Sequence, residues 1–175
     1  LRAEMAAQTS KHAARQRLIG HLMEPVAMRE AQEHLHHLAD ETRLFPDMDT
    51  LLTGLEALGI PWGIVTNKPS LYTMPLLKAL RLDTRCSVTI CPDMVTHTKP
   101  HPEPMLKAAK ALGIDPERCL YVGDHVRDIE AGRAASMTTV AVSYGYIQDG
   151  DNPADWHADY LVDSVFELSR LLGIE

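Results

Sequence analysis

An α/β fold, with a Rossmann-like parallel sheet and helices on both faces, is what this sequence predicts, and three observations carry the prediction. Short apolar runs alternate with amphipathic helical stretches from Asp47 onward. Two of the helical stretches close on glycines, Gly59 and Gly113. Residues with chemistry to offer follow the strands, at the rim where open parallel sheets bind ligands.

Residues 1–39 carry an almost pure helix pattern. Leu18, Leu22, Leu35 and Leu38 are its apolar anchors, and Pro25 separates two helices. This segment also holds His12, His21, His34, His36 and His37. The trio at 34, 36 and 37 cannot share one helix face, so these read as surface side chains rather than a metal site. The chain divides near Asp40–Pro46, where Leu44-Phe45-Pro46 is an extended connector because proline restrains the residue before it.

Met48, Leu51, Leu52, Leu55 and Leu58 then mark an amphipathic helix. Trp62–Thr66 is a strand, Leu71–Leu80 a helix, and Ser87–Ile90 a second strand. A helix follows with Met105, Leu106, Ala109 and Leu112 facing inward. Cys119–Val122 reads as a short, fully buried strand with Cys119 in the core, followed by a helix to about Ala135. Thr138–Val142 and Tyr160–Val162 are further strands, separated by an irregular polar loop over 145–157. Val165, Leu168 and Leu172 lie on a last helix.

Composition bounds the function. The chain has 175 residues, enough for one domain and a small appendage. Its 24 Asp+Glu against 17 Lys+Arg give a net charge of −7. That excludes a general binder of nucleic acid or membrane surfaces and leaves room for a local basic pocket. Cys86, Cys91 and Cys119 are odd in number without CxxC spacing, which fits reduced thiols and a cytoplasmic location. No apolar run reaches membrane-spanning length. The chain opens on Leu1 rather than Met, and a fragment of a longer product is expected. Oligomeric state is not legible.

Three strand ends carry candidate chemistry. After Tyr121-Val122, Gly123 permits a sharp turn, and Asp124 and Asp128 follow one helical turn apart. Two carboxylates at that rim suit a hard cation such as Mg²⁺; a helix cap plus a solvated first-turn acid is the plainer alternative. Thr66-Asn67 after the first strand offers a hydroxyl, an amide and backbone N–H groups for a phosphate, or simply a helix cap. Lys99 lies in Thr98-Lys99-Pro100-His101-Pro102, a segment expected to be extended, and is a point charge for a phosphoryl group or an ordinary surface lysine. All three reach one rim of one sheet.

The ordered set Thr66-Asn67, Lys99-Pro100-x-Pro102 and Gly123-Asp124-x-x-x-Asp128-x-x-Ala131-Gly132 resembles the haloacid dehalogenase superfamily, in its phosphoglycolate phosphatase-like branch. The resemblance covers roughly residues 40–172. It implies a Mg²⁺-dependent hydrolase of a small phosphorylated metabolite, working through an aspartyl-phosphate. Thr66 and Asn67 would hold phosphoryl oxygens, Lys99 would offset transition-state charge, and Asp124 and Asp128 would serve the metal. Gly132 would let its helix pack closely. Residues 1–40 would be part of a helical cap, and residues 41–175 an α/β core.

The pattern is incomplete in one respect. The family's first motif, a strand ending in Asp-x-Asp-x-Thr, supplies the nucleophile. The two Asp-x-Asp strings here, Asp47-Met48-Asp49 and Asp149-Gly150-Asp151, follow no strand and read as helix-start and turn acids. The family's central strand is thus expected to be missing between the strands ending at Thr66 and Val122, which leaves two open edges or forces those strands to pair. The chain alone is expected to be inactive and poorly stable. A non-catalytic phosphate- or metal-binding regulatory domain is the second reading, and a phosphotransfer receiver domain a weaker third.

Overall fold

In the computed structural model the described residues are 42–174; the cap segment expected over 1–40, with its histidines, lies outside them. Residues 42–45, which belong to no helix or strand, and a turn at 46–47 lead into α1 (Met48–Ala57), which buries Leu51, Leu52 and Leu55. The helix stops where Gly59 takes φ 66°, a left-handed conformation glycine adopts without strain. There follow β1 (Gly63–Val65), α2 (Ser70–Ala79), β2 (Val88–Ile90), α3 (Glu103–Leu112), β3 (Leu120–Gly123), α4 (Val126–Ala134), β4 (Thr138–Val142), β5 (Tyr160–Val162) and α5 (Val165–Leu171). The expected order of elements is therefore present throughout residues 47–172.

All pairing is parallel, as crossover helices require. β1 pairs with β2 in the register Val65↔Ile90, and β3-β4-β5 form a separate sheet with Val122↔Val140 and Ala141↔Leu161. Among the described residues no ladder joins β1 to β3, so direct pairing of those two strands does not occur there. The Thr66 N–H donates to Ile90 O at 3.0 Å, and backbone groups alternate along a strand. Val65 therefore turns its carbonyl toward the gap. There it accepts from Lys99 Nζ (2.9 Å) and the Tyr121 hydroxyl (3.3 Å), two side chains in place of a neighbouring strand.

Side chains alternate between two apolar layers. Ile64, Leu120, Val122, Val140, Val142 and Val162 join Leu51, Leu55, Leu77, Val165 and Leu168 on one side of the strands. Val65 and Tyr121 join Met105, Ala109, Ala131 and Ala135 on the other. Helices α1, α2 and α5 thus cover one face and α3 and α4 the other, the doubly covered architecture expected of a parallel sheet. Gly132 brings α4 close: a Cβ there would lie 2.8 Å from Thr139 Cγ2 and 3.3 Å from Tyr121 Cβ. At the far edge Asp159 fixes β5 beside β4. Its carboxylate accepts from the Thr139 N–H (2.7 Å) and hydroxyl (2.8 Å).

Several expectations need correction. β3 is half-buried over Leu120–Val122 rather than fully buried, and among the described residues only one of its edges is paired. Cys119 is half-buried and precedes the strand. Leu106 faces solvent while Met105 and Ala109 take the core side of α3, whose inward stripe runs through 105, 108 and 109. The Lys99 segment is not extended: the Lys99–Pro100 bond is cis, and the His101 N–H donates to Thr98 O at 2.9 Å, closing a turn. The Asp-x-Asp strings behave as read. Asp47 and Asp49 open α1, with Asp49 paired to Arg85 at 2.6 Å, and Asp149 and Asp151 lie in a turn and the loop after it. No helix among the described residues is long and apolar enough to cross a membrane.

Candidate active site

Lys99 is the centre of the site, and it is not a surface lysine. Its ammonium is buried and meets three oxygens: Val65 O at 2.9 Å, the Tyr121 hydroxyl at 3.0 Å and Asp128 Oδ1 at 2.7 Å. The side chains of Lys99 and Asp128 are each only 8% exposed. The contact with Asp128 Oδ1 lacks the alignment of a directed hydrogen bond, and that oxygen has no other polar partner among the described residues. It is an ion pair held by placement. Two charges buried together require good positioning to offset their lost hydration.

That positioning is local and readable. The Asn67 side chain pairs with the Lys99 backbone on both edges, accepting its N–H at 3.2 Å and donating to its carbonyl at 3.1 Å. Asn67 therefore anchors the Lys99 turn to the end of β1, and its amide is committed to that task. Thr66 Oγ1 accepts the Lys68 N–H at 3.0 Å in a local turn, and where α2 begins the Ser70 N–H donates to Asp93 Oδ1 at 2.9 Å. Gly123 makes room for Asp128: a Cβ at 123 would stand 2.3 Å from Asp128 Cβ. No other residue fits there without moving the ion pair.

Asp124 belongs to a neighbouring corner. Its Oδ2 accepts the Tyr146 N–H at 2.9 Å, and a Cβ on Gly145 would lie 2.2 Å from Asp124 Cβ. The N-cap of α4 is His125, whose Nδ1 accepts the Arg127 N–H at 3.1 Å. Asp124 is thus no helix cap and Asp128 no solvated acid, which removes the plainer alternative for both. Phe45 packs edge-on against Tyr144 at 5.3 Å and lies 6.0 Å from Tyr146, placing aromatic surface beside this corner.

The donors can be tested against Mg²⁺, which takes oxygen ligands and keeps several waters or phosphate oxygens. Asp124 fits: it is a carboxylate at the rim with one oxygen uncommitted among the described residues. Asp128 does not fit as a direct ligand while Lys99 stands 2.7 Å from it; it fits a supporting role that holds the lysine beside the metal corner.

Tyr121 and the Gly145–Tyr146 turn were not legible as site residues. Tyr121 looked like one more apolar position of a buried strand. Burial first, then the charges of Asp128 and Asp124, push its hydroxyl well above the usual tyrosine range, so it stays neutral and links Lys99 to β1. Gly145 follows the end of β4, and asking what each strand end delivers could have found it.

The chain's likeness to known proteins extends the same picture. The family model for haloacid dehalogenase-like hydrolases matches residues 2–142. An N-acetylmuramic acid 6-phosphate phosphatase of Pseudomonas aeruginosa is 45% identical over 150 residues, 86% of this chain and 66% of that protein. A phosphoglycolate phosphatase of Xylella fastidiosa is 45% identical over 126 residues, 72% of this chain and 55% of that one. Among solved structures, a haloacid dehalogenase family hydrolase from Deinococcus radiodurans with bound phosphate and sodium superposes with a TM-score of 0.65 at 29% identity. The match covers 71% of this chain and 56% of that one. The chain thus spans between half and two thirds of the proteins it matches here. A parallel α/β core, a lysine turn clasped to the end of β1 and paired acids behind a glycine, joined to a family match over most of the sequence, lead to one conclusion: the chain belongs to the haloacid dehalogenase-like hydrolases.

Proposed function

We propose that this chain is the larger part of a Mg²⁺-dependent phosphatase acting on a small phosphorylated metabolite. In this reading residues 1–40 are part of a cap, residues 41–175 are the core without its central strand, and the attacking aspartate is outside the 175 residues. The observation that carries the reading is the buried Lys99 ammonium held between Val65 O, Tyr121 and Asp128 at the carboxyl ends of β1 and β3. Phosphoryl transfer is catalysed mainly by positioning and by charge placed where it develops.

Each residue then has a task. Lys99 supplies a fixed positive charge to a phosphoryl group, and Asp128 and Tyr121 keep its ammonium at the rim. Asn67 holds the turn that carries it. The Thr66 hydroxyl and the Asn67 N–H offer hydrogen bonds to phosphoryl oxygens. Asp124 would hold Mg²⁺, which when bound shares the negative charge of the phosphate. The names of the similar proteins make N-acetylmuramic acid 6-phosphate and phosphoglycolate the first substrates to test. The three free thiols support a cytoplasmic location.

A non-catalytic phosphate- or metal-binding domain is the second reading, and the closed Lys99–Asp128 pair favours it to the extent that the ammonium is already neutralised. The experiment that separates them is phosphate release from a panel of phosphomonoesters, with and without Mg²⁺. It is run on chain 1–175 and on a form extended by the residues its coding DNA specifies before Leu1. Turnover by the extended form supports the phosphatase; phosphate or Mg²⁺ binding without turnover in both supports the binding domain.

A further inference from the structure

Among the described residues, one group of three carries the donors of a metal site, and it lies apart from Asp124. Its sequence is Thr96-His97-Thr98-Lys99-Pro100-His101-Pro102-Glu103. The turn closed by the His101 N–H on Thr98 O folds the strip back on itself, so that the rings of His97 and His101 lie 4.4 Å apart with a 31° tilt. Glu103, the first residue of α3, reaches back across the turn. Its Oε1 accepts the Thr96 N–H at 2.7 Å, its Oε2 accepts the His97 N–H at 2.9 Å, and Oε2 lies 3.0 Å from His97 Nδ1. His101 Nδ1 accepts the Glu103 N–H at 3.2 Å. One ligand atom from each residue lies within 4.8 Å of the others, and both histidines are exposed.

We propose that His97, His101 and Glu103 bind a borderline transition-metal cation of the Zn²⁺ class, at a site distinct from the Mg²⁺ corner. Ligand type decides the class: imidazole nitrogen suits Zn²⁺, Ni²⁺ and Cu²⁺, whereas Mg²⁺ demands oxygen. The distances agree. Two ligands each about 2.1 Å from one ion stand about 3.0 Å apart at a right angle and about 3.4 Å apart in a tetrahedron. His97 Nδ1 and Glu103 Oε2 already stand 3.0 Å apart. The cation takes the place of the proton between them, and that proton leaves to solvent. The ligand atom of His101 must close from at most 4.8 Å to about 3.4 Å, which an exposed ring can do by rotating. The Thr96 and His97 N–H groups orient the Glu103 carboxylate, as supporting groups do for metal ligands. Water completes the coordination. A simple clasp of the loop by Glu103 uses one ring nitrogen of each histidine, but it does not require the two rings to stack 4.4 Å apart at the surface. Because the histidines stand two residues to either side of Lys99, a bound cation braces the turn that carries it.

Calorimetric titration of the full chain with ZnCl₂, in excess Mg²⁺, tests the proposal. The histidines before residue 38 contribute the same background in every variant, so the quantity read is the difference between variants. Wild type should bind one equivalent more than His101→Ala. Glu103→Gln should weaken that equivalent about tenfold or more, and Asp124→Asn should leave it in place. His101→Asn, with circular dichroism as the folding control, replaces His101→Ala if alanine disturbs the turn. Equal stoichiometry and affinity in wild type and the His101 variants would overturn the site. Displacement by Mg²⁺, or loss of the equivalent in Asp124→Asn, would overturn it equally.

Discussion

Replacing Lys99 by Met keeps the length of the side chain and removes its charge, which isolates what the buried pair contributes. Asp128 would then be a carboxylate 5% exposed whose one ionic partner among the described residues is gone. Removing one member of a buried pair costs about 3–5 kcal/mol, because the remaining charge keeps its desolvation penalty and loses its compensation. Both side chains are well shielded, so solvent screening takes little from that figure. For a chain of this size the loss corresponds to a fall of roughly 6–20 °C in Tm. The double variant Lys99→Met/Asp128→Leu should recover most of it, since an apolar pair of similar volume is about as stable as the ions it replaces. Thermal and urea unfolding followed by circular dichroism would measure all four forms. A single variant within about 1 kcal/mol of wild type, or a double variant whose loss is the sum of the singles, would refute the buried-pair reasoning.

Other outcomes follow from the same geometry. Gly123→Ala should cost about 1–3 kcal/mol in a denaturant series, because its Cβ would stand 2.3 Å from Asp128 Cβ and both walls are packed. Gly145→Ala should displace Asp124 and weaken Mg²⁺ binding about 10–100-fold by calorimetry, with a smaller effect on stability. Tyr121→Phe should lose about 1 kcal/mol near neutral pH. It should also flatten the alkaline limb of the stability curve: with the native hydroxyl raised, its contribution is complete below the ordinary tyrosine value and lost as pH climbs through the raised one. On the acid side, hydrogen bonds from the Thr139 N–H and hydroxyl hold the Asp159 carboxyl below its usual range. Its contribution is therefore present above the ordinary aspartate value and lost as pH falls through the lowered one. Asp159→Asn should flatten that limb in a pH series of melting curves.

The order of elements was legible because the hydrophobic period switches cleanly between 3.6 and 2, and glycines mark the stops. Thr138–Val142 and Tyr160–Val162 form as read, since apolar or β-branched residues bounded by turns leave little choice. What escaped was tertiary in origin. Leu106 satisfies the same helical pattern as Met105, and only the position of the sheet decides which faces inward. The partial exposure of β3 depends on what packs around it, which nothing inside Leu120–Gly123 encodes. At the site, spacing brought Thr66, Asn67, Lys99, Asp124 and Asp128 to one rim, but not how they divide the work. Asn67 spends its amide on the Lys99 backbone, and Asp128 spends its charge on the ammonium, because burial leaves neither group free of a partner. The turn at Thr98–His101 is closed by a backbone hydrogen bond that composition does not reveal.

The central claim is that Lys99 and the two aspartates serve a phosphatase whose nucleophile is supplied by residues beyond this chain. Phosphate release from N-acetylmuramic acid 6-phosphate and phosphoglycolate tests it most directly. It would be measured with and without Mg²⁺ for chain 1–175, for the N-terminally extended form and for its Lys99→Ala variant. The account predicts no turnover from chain 1–175, Mg²⁺-dependent turnover from the extended form, and a loss of about 10²–10³ in kcat on replacing Lys99. Mg²⁺-dependent turnover by chain 1–175 itself, or an extended form indifferent to Lys99→Ala, would contradict it.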